Sequence, residues 1–291
     1  LKLKWAVSFG IVLLFLYFLY RFNTPERLLE LTAGVNPAWL LASAVPYALS
    51  YTVRAKRFSV AFPEIPGLQL VAVVAVHTFL NNILPLRSGE LSLPILLRRF
   101  SGVRMHASST VLLLLRLLDL LSVAFLFSAC ALALRTGTSV GLFTALLAGC
   151  LALLAVTARV LSSKKGTLGE VATVAKNMLS PLNFLLLFCL SLAVWLLKFT
   201  SFYLIMTAGG VNLSFLETVF VSTFGEITTV LPVHSFGGFG TYEAGLTGGF
   251  AILGKDVESA LAVALYFHIT LLAMSAVVAT AGWLYLTFKK T

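Results

Sequence analysis

Arg87, Glu90, Arg116, Asp119, Glu226 and Glu243 stand inside or beside long apolar runs, and His234 and His268 fall in the same regions. In a bilayer each such charge costs at least about 2.5–3.5 kcal/mol, so an intramembrane ionisable residue is a candidate functional group. Arg116 and Asp119 are spaced i, i+3 and share one helix face; Arg87 and Glu90 have the same spacing across a bend. A guanidinium donates two parallel hydrogen bonds and keeps its charge, so Arg87 and Arg116 suit an anionic group such as phosphate. Glu90, Glu226 and Glu243 are suited to holding an amine, carrying a proton or orienting the arginines. His234 and His268 would titrate near neutral pH. The alternative is mutual neutralisation, in which arginine–carboxylate pairs only pin helices together.

Gly237, Gly238 and Gly240 follow Leu231-Pro232. They permit a sharp turn and could leave amide groups facing a ligand; a bend alone also accounts for them. No Walker A, HExxH or GxSxG motif is present, so no catalytic residue is assigned. Cys130, Cys150 and Cys189 lie in separate apolar runs and read as small core residues, and with four scattered histidines they predict no metal and no cofactor. Lys198 reads as a snorkelling cation, and His77 and His106 are given no role.

These residues need a membrane scaffold. The chain has 291 residues, 59% hydrophobic and 11% charged, with a mean hydropathy of +0.98. Water does not solvate such a chain. Long runs of Leu, Ala, Val and Phe predict spanning helices rather than the alternation of a barrel. The net charge of +10 gathers in short loops, as in cytoplasmic loops of membrane proteins, and does not call for nucleic acid.

The predicted crossings are about 5–21, 38–55, 107–134, 138–158, 182–207 and 258–287. The first follows Lys2 and Lys4 and lacks a small-residue cleavage site, so it reads as a span rather than a signal peptide. The segment 159–180 is polar and basic and reads as interfacial. Two stretches are different. Residues 67–101 and 214–254 each have an apolar arm, a Leu-Pro, a polar bend with a glutamate, and a short second arm. Both read as re-entrant helical hairpins.

The two hairpins also align. Leu84-Pro85, Glu90, Gly102 and Arg116 match Leu231-Pro232, Glu243, Gly254 and His268, with the last residue fourteen positions after the glycine in each. The expected fold is thus an all-α polytopic membrane protein. One membrane domain over 1–291 would hold six full transmembrane helices plus two re-entrant helical hairpins. These form two inverted-topology repeats, 1–135 and 136–291. Most of the 21 Lys and Arg then lie on the cytoplasmic side with both termini, Arg54, Lys56 and Arg57 among them.

At the hairpins the chain resembles the transmembrane family of lysylphosphatidylglycerol synthases and flippases. The resemblance rests on Leu84-Pro85-x-Arg87-x-Gly89-Glu90, Arg116-x-x-Asp119, and Leu231-Pro232 with Gly237-Gly238-x-Gly240-x-x-Glu243. Family members often carry Arg at the position of His268. Some join this membrane region to a cytosolic aminoacyl-transferase domain, which this sequence does not show. The resemblance implies a flippase or transporter in a prokaryotic cytoplasmic membrane, moving a phospholipid or lipid-linked headgroup between leaflets. Its partners would be that lipid and a coupling proton or ion; a homo-oligomer is compatible with the sequence. An intramembrane enzyme acting on a lipid headgroup or polyprenyl phosphate, and a structural subunit, are the alternatives.

Overall fold

Leucine- and alanine-rich runs without interior breakers become helices wherever the backbone must satisfy its own polar groups. A computed structural model describes Leu13, Tyr17 and residues 34–135, 167–229 and 235–289. Among these residues the regular structure is helical throughout: α1 (Pro37–Ser59), α2 (Gly67–Ile83), a 3-10 turn (Pro85–Leu91), α3 (Ser92–Ser101), α4 (Met105–Ala133), α5 (Thr167–Met178), α6 (Pro181–Ala208), α7 (Phe215–Thr228), a 3-10 turn (Phe236–Gly238), α8 (Thr241–Ile252) and α9 (Val257–Phe288). The spans expected at 5–21 and 138–158, and His234, lie outside the described residues.

Length separates the helices into two kinds. α4, α6 and the Ser259–Phe288 part of α9 are long and apolar enough to cross a bilayer. At ~1.5 Å per residue each exceeds the roughly 30 Å hydrocarbon core. By the same rise α2, α3, α7 and α8 extend only about 25, 15, 21 and 18 Å. Leu185, Leu196, Leu113 and Val277 are exposed on the long helices. Such side chains suit acyl chains as neighbours.

The chain divides into two compact units. One comprises Leu1–Tyr47, Thr78–Glu90 and Lys198–Val277; the other comprises Ala48–His77, Leu91–Leu197 and Val278–Thr291. Each draws on both sequence repeats, so the repeats are not the compact units.

In the first unit, α7 and α8 pack antiparallel. A Cβ at Gly245 would lie 2.6 Å from the Phe224 carbonyl oxygen, and one at Gly249 would lie 2.9 Å from the Val221 Cα. α7 starts on a capping box: Ser214 Oγ accepts from the Glu217 amide at 3.2 Å and Glu217 Oε2 accepts from the Ser214 amide at 2.7 Å. Lys255 Nζ also lies 3.2 Å from Glu217 Oε1. The Pro85–Leu91 turn folds onto the end of α2, where a Cβ at Gly89 would sit 2.4 Å from the Asn81 Cα. Only glycine permits this approach, which accounts for its place in the Leu-Pro-x-Arg-x-Gly-Glu motif.

In the second unit, α2 and α3 are also antiparallel. Gln69 Nε2 donates to the Phe100 carbonyl at 2.8 Å, and His77 Nδ1 lies 2.8 Å from Ser92 Oγ. α4 packs against α3 and α5. The core of this unit includes Val73, Leu93, Leu97, Val111, Leu114 and Leu118. Cys130 is buried, as expected, but Cys189 is exposed. Its place on α6 falls on the face that also exposes Leu182, Leu185 and Leu186, so periodicity, not the apolar run, sets its environment.

Candidate functional site

The second unit encloses a small cavity lined by Arg54, Arg57, Phe58, Val74, His77, Leu112, Leu115, Arg116 and Asp119. It has room for about one water molecule. Each wall follows from helical spacing. Arg54 and Arg57 are i, i+3 on α1, and Arg116 and Asp119 are i, i+3 on α4, so each pair presents one face.

Asp119 pairs with Arg57, not with its helix neighbour. Arg57 Nη1 donates to Asp119 Oδ1, and Nη2 reaches Oδ2 at 3.3 Å, a two-pronged contact. Arg57 Nη1 also donates to Ser191 Oγ on α6 at 2.8 Å. Arg57 is 1% exposed. This corrects the placement of Arg54 and Arg57 in a cytoplasmic basic loop: α1 continues to Ser59, carrying both inward, while Lys56 between them is exposed. His77, given no role from the sequence, is buried and lines the same cavity.

The remaining predicted site residues that are described belong to the first unit. Arg87 Nη2 donates to Glu90 Oε1 at 3.0 Å, with side chains 30% and 23% exposed. Arg87 holds φ 57°, a left-handed value rare for a residue with a side chain. Arg87 lies in the first unit and Arg116 in the second.

Glu226 meets Lys198 Nζ at 3.0 Å and accepts from the Tyr242 hydroxyl at 3.4 Å. Lys198 is mostly buried and also lies 5.2 Å from the centre of the Phe202 ring. Snorkelling is therefore the wrong account of Lys198: it carries an interior ion pair. Glu243 is fully buried. Its Oε1 lies 2.7 Å from His268 Nδ1, and its Oε2 accepts from the Gly240 amide at 2.7 Å. Tyr242 stacks on the His268 ring at 4.5 Å, and Phe239 lies 5.1 Å from it.

Gly237, Gly238 and Gly240 have φ of 60°, 76° and 87°, so the tight-turn expectation for them fits. The expectation of ligand-facing amides does not hold for two of them. The Gly238 amide donates to the Ser235 carbonyl and the Gly240 amide to Glu243. The turn consumes these donors itself.

The description "lysylphosphatidylglycerol synthase TM region" matches residues 5–279. The chain belongs to this family. It is a multi-pass membrane protein of a family tied to membrane-lipid metabolism and transport. No curated protein and no solved structure matches the chain. Among the described residues the inward charges gather in three groups: Arg54, Arg57, Arg116, Asp119 and His77 in the second unit, and, in the first, the half-buried Arg87–Glu90 pair and the Lys198–Glu226–Tyr242–His268–Glu243 group. Among the described residues no cluster of His, Cys, Asp and Glu could hold a metal ion.

Proposed function

We propose that the protein moves an anionic phospholipid or lipid-linked headgroup between the leaflets of a prokaryotic cytoplasmic membrane, leaving the lipid chemically unchanged. The carrying observation is the second unit's cavity, where three guanidinium groups line a space with a single carboxylate, Asp119. That charge excess favours an anion, and arginine is the side chain best matched to phosphate oxygens. The cavity is water-sized, so headgroup passage requires α1, α2 and α4 to separate. Acyl chains would stay in the bilayer. The Arg87–Glu90 pair of the first unit, partly exposed, is a second candidate contact for an anionic headgroup.

The proposed topology has six crossings and two hairpins entering from opposite faces, with both termini cytoplasmic. The short α2, α3, α7 and α8 support it, because none reaches across the hydrocarbon core alone. Arg54 and Arg57 no longer count toward the positive-inside bias, yet Lys56, Arg98, Arg99 and Arg104 keep its direction. Cysteines placed at Arg104 and Lys255 are expected to label from opposite sides of intact cells. Labelling from the same side would refute the inversion.

Function is tested in liposomes carrying a fluorescent anionic phospholipid, with leaflet exchange read by quenching. Arg116→Ala leaves the Arg57–Asp119 pair in place. Its expected effect is about a tenfold slower exchange, in line with one lost hydrogen bond to a charged group. Exchange at the wild-type rate in a folded variant would sink the assignment. A changed lipid mass after incubation would favour the enzymatic reading instead.

A further inference from the structure

The first unit buries a charged cluster that headgroup binding leaves unused. Lys198 on α6, Glu226 on α7, Tyr242 and Glu243 on α8, and His268 on α9 are linked in series by the contacts described above. Phe239 lies against the His268 ring, 5.1 Å between centres. Among these groups there are two carboxylates and one permanent cation. With His268 neutral the cluster carries one excess negative charge around a fully buried Glu243. Net charge at such a position is costly in a bilayer. One proton shared by Glu243 and His268 cancels it.

We infer that the Glu243–His268 pair is an exchangeable proton site whose loading drives or gates headgroup movement; the coupling rests on the transport reading above, the site itself does not. Glu243 supplies the mechanical link. One of its oxygens faces His268 and the other holds the Gly240 amide. A carboxylate accepts that amide more strongly than a neutral carboxyl group does. Gain or loss of the shared proton therefore changes the grip on a turn built from three left-handed glycines. The bond balance is simple: a proton enters from water, sits between Glu243 Oε1 and His268 Nδ1, and leaves to water.

The charge count gives a test that packing alone would not mimic. In Glu226→Gln, Lys198 balances Glu243 and the extra proton is no longer needed, so its affinity falls. In Lys198→Met the deficit grows, so its affinity rises. Infrared difference spectra of the purified full chain are to be recorded from about pH 5 to about pH 8, where histidine sites titrate. The expected result is one protonation step in the wild type, absent in Glu243→Gln, moved to lower pH in Glu226→Gln and to higher pH in Lys198→Met. No step in the wild type, or a midpoint indifferent to both distant variants, would overturn the site. The same liposomes under an imposed pH gradient then test coupling. Wild-type exchange should change severalfold with the gradient, and exchange by Glu243→Gln should not respond. A titrating site in a protein without lipid exchange would reject transport and leave the proton site standing. Exchange indifferent to pH in the wild type would reject the coupling and leave transport standing.

Discussion

Asp119→Asn is expected to destabilise the protein more than Arg57→Met does, although both break the same ion pair. Removing one partner of a buried pair typically costs about 3–5 kcal/mol, because the other charge is left without compensation. Here the two halves are not equivalent. Without Arg57 the cavity retains Arg54 and Arg116 beside Asp119. Without the Asp119 charge it retains three guanidinium groups and no carboxylate among its lining residues. Repulsion then adds to desolvation. Unfolding in detergent micelles, followed by loss of helical signal, should place Asp119→Asn at or beyond the upper end of that range and Arg57→Met near its lower end. The double variant Arg57→Met with Asp119→Leu should recover part of the loss, since two apolar groups then replace two charges. Equal shifts under about 1 kcal/mol, the scale of a solvated pair, would show that water reaches the cavity and that the pair is not a buried one.

This pair also shows where sequence reading stops. An aspartate among leucines must have a cationic partner, and Arg116 is the nearest in sequence. The structure prefers Arg57, sixty-two positions away, because a long side chain crossing from another helix meets the carboxylate head-on. Arg57 was hidden by its setting. Arg54, Lys56 and Arg57 close an apolar run and mimic a positive-inside loop. The signal was present at finer grain: Ser43, Tyr47, Ser50, Tyr51, Arg54 and Arg57 recur at helical spacing along α1, a polar stripe that a purely lipid-facing or loop-bound segment has no reason to carry.

Lys198 teaches the same lesson. Its position near the end of a span suggests snorkelling, but Glu226 on α7 meets it inside. Neither residue has a charged neighbour on its own helix face, which was the available clue. The helices themselves were more legible. Arms at 67–101 and 214–254 were readable because Leu-Pro and glycine interrupt runs too short to span. Glu243 and His268 were found by comparing the hairpins, and the fold brings those two into direct contact. Glu90, the matching glutamate of the first hairpin, meets Arg87 within its own turn, a pairing that the i, i+3 spacing already offered.

Arg87 offers a test that separates chemistry from stapling. Both Arg87→Ala and Arg87→Gly delete the guanidinium and its bond to Glu90. They differ in the backbone. At φ 57° alanine bears a left-handed penalty of roughly 1–2 kcal/mol that glycine escapes. Arg87→Gly should therefore melt higher in micelles than Arg87→Ala by about that amount. If Arg87 contacts the headgroup, leaflet exchange falls together in both, by up to about a hundredfold, the upper end for a lost hydrogen bond to a charged group. If Arg87 only fastens the turn, exchange follows stability, and the glycine variant regains most of the wild-type rate. Arg87→Lys sharpens the choice. Lysine keeps the charge and its attraction to Glu90 but loses the planar fork. Exchange that falls in the lysine variant while its melting temperature holds would place the requirement on two-pronged contact with phosphate, and recovery in the glycine variant would remove Arg87 from the headgroup path.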